Sequence, residues 1–219
     1  MPVTKARVTR HATREEYRRG IRIIVVGASG TVGQAVVDLL RSRGHEVVTV
    51  GRSSGDVRAD ISTSEGLTYL WEQVGEVDAV ACAAGEVPFA PVTELTSADY
   101  SSAWEKKALA QINLVRTGLD HVAPAGSFTL ISGIVSRDPI RTGAAAAAVN
   151  GAIEAFVRAA AVEIAPRRIN AVSPSVLTES LDAFDAFFPG FPPVDAADVA
   201  RGYVKAIEGA DTGRTIELP

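Results

Sequence analysis

Residues 21–219 of this chain predict a single α/β domain of the Rossmann-like, doubly wound kind, a parallel sheet of about seven strands with helices on both faces. Three observations carry that expectation. Short apolar, β-branched runs recur along the chain, stretches of helical periodicity separate most of them, and the first run ends in a glycine-rich turn that opens the first helix. Strands joined by helices of this length need crossover connections, and a sheet of parallel strands must be covered on both faces. A length of 219 residues suits one domain with a sizeable core.

The elements follow in order. Ile21-Arg22-Ile23-Ile24-Val25-Val26 is a buried strand closed by Gly27. Thr31 to Arg43 spaces Val32, Ala35, Val36, Leu39 and Leu40 as a helix does, and Gly44 stops it. Further strands are expected at Glu46 to Val50, Val57 to Asp60, Val77 to Ala83, Ser127 to Ser132, Ile169 to Val172 and Thr215 to Leu218. One helix is expected from Asp99 to Val122. Another starts in the alanine run Ala144 to Ala148 and continues through Val149, Ile153, Phe156, Val157, Ala160 and Ile164. The segment from Thr178 to Val194 carries Phe184, Phe187, Phe188 and Phe191 among prolines and glycine, which suits either a lid over a pocket or a plain packing loop.

Composition excludes several classes of protein. With 47% apolar and 22% charged residues the chain is neither disordered nor fibrous, and a net charge of −4 gives no reason to expect a nucleic-acid partner. Its one cysteine, Cys82, cannot form an internal disulfide, and His11, His45 and His121 lie too far apart in sequence to suggest a zinc centre. Residues 1–20 form a basic extension, expected to be flexible; through Arg22 seven basic residues stand against Glu15 and Glu16. No secretory signal pattern and no run of ~18 apolar residues is seen, so a cytoplasmic protein without a membrane span is expected.

The strongest motif is Gly27-Ala28-Ser29-Gly30-Thr31-Val32-Gly33, where the first strand turns into the first helix. Glycines permit a tight turn and a close approach of backbone to a pyrophosphate, whose charge then meets unpaired N–H groups at the helix N-terminus. About twenty residues on, where a site for NAD would place an acid against the ribose hydroxyls, stands Gly51-Arg52-Ser53-Ser54. Arg52 offers a planar fork for a phosphate and Ser53 a hydroxyl, so NADP(H) is expected over NAD(H), the alternative being a solvated surface arginine. Asp60 and Ile61 suit the adenine, and Ala83, Ala84 and Gly85 the adenosine ribose.

At these residues the chain resembles the short-chain dehydrogenase/reductase family, from about Ile21 to the C-terminus. The glycine loop resembles the family's in divergent form, Asp60-Ile61 its adenine-binding pair, Ala83-Ala84-Gly85 its Asn-Ala-Gly turn, and Asn170 to Ser175 its Asn-x-x-x-Pro-Gly segment. The resemblance implies nicotinamide-side contacts at Pro174, Val176 and Thr178, and a homodimer or homotetramer formed through the alanine-rich helix and the helix from Asp99 to Val122. It also implies an Asn, a Ser and a Tyr-x-x-x-Lys pair, and there the chain departs from the pattern. Ala146 falls at the tyrosine, Asn150 at the lysine and Lys107 at the asparagine, while the serine position falls on Gly133, next to Ser132.

Ser132, Ser136, Lys107, Thr142 and Asn150 are therefore the candidates for proton transfer, Ser132 and Lys107 foremost, with Asn150 retained as a catalytic position. Lys107 pointing inward could supply a proton, whereas beside Glu105 and Lys106 it could equally be a solvated helix lysine. Arg137 and Asp138 could touch substrate, although an exposed ion pair is the more ordinary reading. Three functions fit: an NADP(H)-dependent oxidoreductase acting on a small carbonyl or alcohol, a cofactor-retaining isomerase, cyclase or dehydratase, and a non-catalytic NADP(H)-responsive binding module.

Overall fold

The computed structural model describes residues 20–219, so the basic extension, apart from Gly20, lies outside the described residues. The first half holds β1 (Arg22–Val26), α1 (Thr31–Ser42), β2 (Glu46–Gly51), β3 (Val57–Arg58), α2 (Ser64–Val74), β4 (Val77–Cys82), α3 (Ser97–Ala103) and α4 (Ala110–Gly118). The second half holds β5 (Val122–Ile131), α5 (Ala144–Glu163), β6 (Arg168–Pro174), α6 (Leu181–Phe184), α7 (Ala196–Glu208) and β7 (Thr215–Leu218). All seven strands pair in parallel in the order β3-β2-β1-β4-β5-β6-β7.

The central strands β1 and β4 are largely apolar because both faces of the sheet are covered. Along β1, Ile24 and Val26 join the cluster built on Leu67, Leu70 and Trp71 of α2, Leu114 of α4 and Ile153 of α5. Ile23 and Val25 point the other way, into Val36 and Leu40 of α1 and Val199 and Tyr203 of α7. The strand order reverses direction between β1 and β4, which opens a crevice at the carboxyl ends of those two strands, where open α/β sheets bind ligands.

Two boundaries differ from expectation by more than two residues. The helix expected from Asp99 to Val122 is three pieces: α3, started by a capping box between Thr96 and Asp99, a π-helical turn Trp104–Leu109, and α4. It stops at Gly118 because the chain turns there, His121 N–H donating to the Gly118 carbonyl, and a side chain on Gly118 would strike the Trp71 ring. The next strand therefore starts at Val122 rather than Ser127. Pro124 and Gly126 disguise its first half, and the β4–β5 ladder accommodates them with a register shift between Val77 and Ala79.

By length and composition α5 could also cross a bilayer, the one described helix that meets that test. Here its stripe of Ala145, Val149, Ile153, Val157 and Ala160 packs into the core.

Candidate active site

The crevice begins at the glycine turn. Gly27 adopts φ +81°, and a Cβ there would lie 2.9 Å from the backbone of Ala83 and Ala84, so the ends of β1 and β4 approach as only glycine allows. A Cβ on Gly33 would fall on the Gly27 carbonyl, which is why the first turn of α1 can lie directly on the loop. Gly30 is the N-cap of α1, no side chain caps it, and no acidic residue stands in the first turn. The first N–H groups of the helix, around Thr31, Val32 and Gly33, are left for an anion.

An open groove of about 320 Å³ runs outward from this cradle. Gly27, Ser29 and Gly30 form its floor, Arg52 and Ser53 one wall, Asp60 and Ile61 the far end, and Ala83, Ala84 and Gly85 the other side. The Asp60 carboxyl accepts hydrogen bonds from the Ser62 hydroxyl (2.7 Å) and N–H (2.9 Å), which hold it below the ordinary carboxylate range, with Arg52 and Lys106 adding to the effect. Two charged groove residues, Glu86 and Lys106, were not among those expected from the sequence. Glu86 directly follows the Ala83-Ala84-Gly85 turn, and its carboxylate lies 3.7 Å from the Arg52 guanidinium across the groove mouth. An uncapped helix start, a glycine floor and flanking cations together fit a dinucleotide with its pyrophosphate on the α1 N-terminus.

Deeper in the crevice, at the end of β5, lie the proton-transfer candidates. Lys107 is only 8% exposed. Its aliphatic stem lies over Gly85, where a Cβ would come within 2.6 Å of Lys107 Cγ, and its Nζ donates to the Ser132 carbonyl at 3.3 Å. Burial lowers the amine from 10.5 to about 8, against a smaller opposing influence of the Cys82 thiol. Asn150 reaches the next carbonyl along, its Nδ2 donating to Gly133 at 3.4 Å, while its buried Oδ1 has no partner. The Thr142 hydroxyl is likewise buried without a partner.

The Ser132 hydroxyl faces elsewhere. It donates to Glu154 Oε1 at 2.9 Å, and the same oxygen accepts the Ser136 hydroxyl (2.9 Å) and Arg137 Nη1 (2.6 Å). Arg137 also donates to Ser173 Oγ at 2.9 Å and lies 3.3 Å from Glu217. This corrects the expectation of an exposed Arg137–Asp138 pair: Arg137 turns inward because the buried Glu154 carboxylate requires a cation and hydrogen-bond donors. Glu154 was missed, although its place beside Ile153 and one turn before Val157 puts an acid on the buried stripe of α5.

The last part of the site is apolar. Ala146, where the family resemblance would place a tyrosine, is buried with Val135, Val176 and Phe188, and Phe89, Phe184, Phe187 and Phe191 pack around them. Pro174 ends β6, Val176 is in this cluster and Thr178 is exposed; none of the three lines the groove at the start of α1.

A family model described as enoyl-(acyl carrier protein) reductase matches residues 6–208, most of the chain. The chain belongs to the short-chain dehydrogenase/reductase family. Among the relatives of this short-chain dehydrogenase/reductase is hydroxynaphthalene reductase arp2 of Aspergillus fumigatus, 27% identical over 168 residues. That match takes in 74% of this chain and 59% of the fungal protein, so the chain spans about three-fifths of its length. Human L-xylulose reductase is 25% identical over 185 residues, 76% of either chain. Among solved structures, the protein lin1944 from Listeria innocua is 46% identical, covers 91% of this chain and 100% of its own, and superposes with a TM-score of 0.89. A small-chain dehydrogenase in complex with NADPH is 26% identical, with 91% and 96% coverage and a TM-score of 0.81.

Proposed function

We propose that this short-chain dehydrogenase/reductase is an NADP(H)-dependent oxidoreductase of small carbonyl or alcohol substrates, in which Lys107 does the proton transfer that a tyrosine does elsewhere in the family. The observation that carries this is the buried Lys107 amine, held against Gly85 at the inner end of the glycine-floored groove and poised near pH 8. NADPH bound in the groove would supply the hydride. The α1 N-terminus would hold the pyrophosphate, Asp60 and Ile61 the adenine, and Ala83 and Ala84 the ribose. Pro174, Val176 and Thr178 would flank the nicotinamide end. At pH 7 the Lys107 ammonium donates a proton to the oxygen of the carbonyl being reduced, and a pKa near the working pH lets the amine recover its proton afterwards. Asn150, with an unpartnered Oδ1 beside Gly133, would accept a hydroxyl of substrate or ribose.

Arg52, Ser53 and Lys106 at the outer groove favour the extra phosphate of NADP(H), in keeping with the NADPH complex of a structural neighbour. The exposed small residues Ala148, Ala155 and Ala159 on α5 suit a homodimer or homotetramer, and NADPH chemistry with a single free thiol suits the cytoplasm.

The test is product formation followed alongside NADPH absorbance in a panel of small carbonyl compounds. Stoichiometric NADPH loss that Lys107→Met slows by about a hundredfold or more is the expected result. Product formed with no NADPH consumed would replace this reading with a non-redox one.

A further inference from the structure

Two polar side chains interrupt the apolar stripe of α5. Asn150 and Glu154 stand one helical turn apart on its inward face, 2% and 6% exposed, beside Val149, Ile153 and Val157. Both reach the same short segment, residues 132–137, which leaves the end of β5. Asn150 Nδ2 donates to the Gly133 carbonyl at 3.4 Å. Glu154 Oε1 gathers the segment's donors: the Ser132 hydroxyl at 2.9 Å, the Ser136 hydroxyl at 2.9 Å and Arg137 Nη1 at 2.6 Å. The Ser136 hydroxyl also lies 3.0 Å from the Gly133 carbonyl, and Arg137 Nη2 carries the link on to Ser173 of β6 at 2.9 Å.

Folding gains little from such a carboxylate. A buried ion pair is often no more stabilising than well-packed apolar side chains of similar volume, because two charges must give up water. What Glu154 fixes is the direction of two peptide carbonyls. The Ser132 N–H donates to the Val172 carbonyl at 2.9 Å and its hydroxyl is tied to Glu154, which leaves its own carbonyl turned towards Lys107 Nζ at 3.3 Å. That is the one hydrogen bond the Lys107 amine makes among the described residues. The next carbonyl, that of Gly133, faces Asn150.

We infer that Glu154 is a positioning residue for Lys107: it holds the Ser132–Gly133 segment through the Ser132 and Ser136 hydroxyls and so sets where the Lys107 amine sits in the crevice. The inference rests on the proposed function, in which Lys107 protonates the substrate, and assigns a further residue to that step. Glu154 does not line the groove and makes no bond to the amine; it acts through Ser132. A proton donor misplaced by about 1 Å can lose about a hundredfold in rate, so loosening this link should show in turnover rather than in nucleotide binding.

Two variants of the full chain cut the link at different atoms. Glu154→Gln removes the charge that holds Arg137, and Ser132→Ala removes the hydroxyl while leaving the Glu154–Arg137 pair in place. The first readout needs no turnover. The chain has four lysines, Lys5, Lys106, Lys107 and Lys205, so NMR titration of protein labelled with ¹³C at lysine Cε follows each of them, and Lys107 is the resonance missing from Lys107→Met. Losing the carbonyl that accepts from an ammonium lowers its midpoint, so both variants should bring Lys107 down by at least about 0.5 pH units and leave the other lysines in place. Cys82, the titratable group that faces the amine, is the same in both. An unchanged or raised Lys107 midpoint in folded Ser132→Ala overturns the inference. The second readout is a double-mutant cycle on NADPH-dependent reduction at pH 7 of the carbonyl compound turned over best. Glu154→Gln should lower kcat about tenfold with KM changed less than about twofold, and should have no further effect in Lys107→Met. Where Lys107→Met slows the reaction, a Glu154→Gln loss of equal size in both backgrounds, or no loss in either, overturns the inference. If Lys107→Met costs nothing, or no carbonyl compound consumes NADPH, the proposed function falls and the titration alone decides the positioning.

Discussion

Replacing Lys107 by methionine keeps the aliphatic stem over Gly85 and removes the amine, so the variant isolates what the buried charge does to folding. In the folded chain the amine sits at about 8 instead of 10.5. At about 1.4 kcal/mol per pKa unit, keeping the ammonium buried disfavours the native state by about 3 kcal/mol wherever both folded and unfolded chains carry the proton, that is, below pH 8. Losing the bond to the Ser132 carbonyl returns about 1 kcal/mol of that. The methionine variant should therefore be more stable than the parent by about 2 kcal/mol at pH 7. Between pH 8 and 10.5 the unfolded chain binds the proton more strongly than the folded one, so the parent gains stability and the difference disappears. Urea unfolding followed by fluorescence of the buried Trp71, at intervals from pH 6 to 10.5, measures this directly. A difference that does not change with pH, or a variant less stable at pH 7, would mean that the Lys107 amine is solvated and would remove it from the mechanism.

The same amine predicts a pH profile for catalysis. Carbonyl reduction should fall as pH rises through about 8 and the ammonium is lost, and the reverse oxidation should rise over the same interval; initial rates in both directions check this. Glu86→Gln removes the carboxylate facing Arg52 and should tighten NADPH, by no more than about fivefold because exposed pairs are weak, while leaving NADH nearly unchanged. Competitive titration reads the ratio, and equal tightening of both nucleotides would count against a role at the extra phosphate. Gly27→Ala forces a side chain into a left-handed turn and onto the backbone of Ala83 and Ala84, so it should lower stability by more than about 1 kcal/mol and abolish nucleotide binding. Thermal unfolding with and without NADPH checks both effects.

Much of the fold was legible because buried parallel strands leave little room for polar residues: β1 and β4 stand out as apolar runs, and Gly27 and Gly44 mark the turns after β1 and α1. The start of β5 was not legible, since Pro124 and Gly126 read as loop until the shifted pairing with β4 is known. Lys107 was visible as a lysine in an unusual place. Whether it pointed inward depended on the phase of a π-helical turn, which local periodicity does not give, and its neighbours Glu105 and Lys106 are indeed exposed. The groove at the start of α1 was readable from glycine spacing, yet Glu86 and Lys106 enter it only because the loop after β4 lies against the π-helical turn Trp104–Leu109. Arg137 had a charged neighbour in sequence but found its carboxylate 17 residues away, on α5.

Every role proposed along the crevice requires that the groove at the start of α1 hold a nicotinamide dinucleotide. Calorimetric titration of the full chain with NADPH and, separately, NADH tests it most directly. NADPH should bind, NADH should bind at least about tenfold more weakly, a gap of about 1.4 kcal/mol, and Arg52→Ala should close that gap. No heat from either nucleotide would mean that the glycine cradle is not a cofactor site and would contradict the account as a whole.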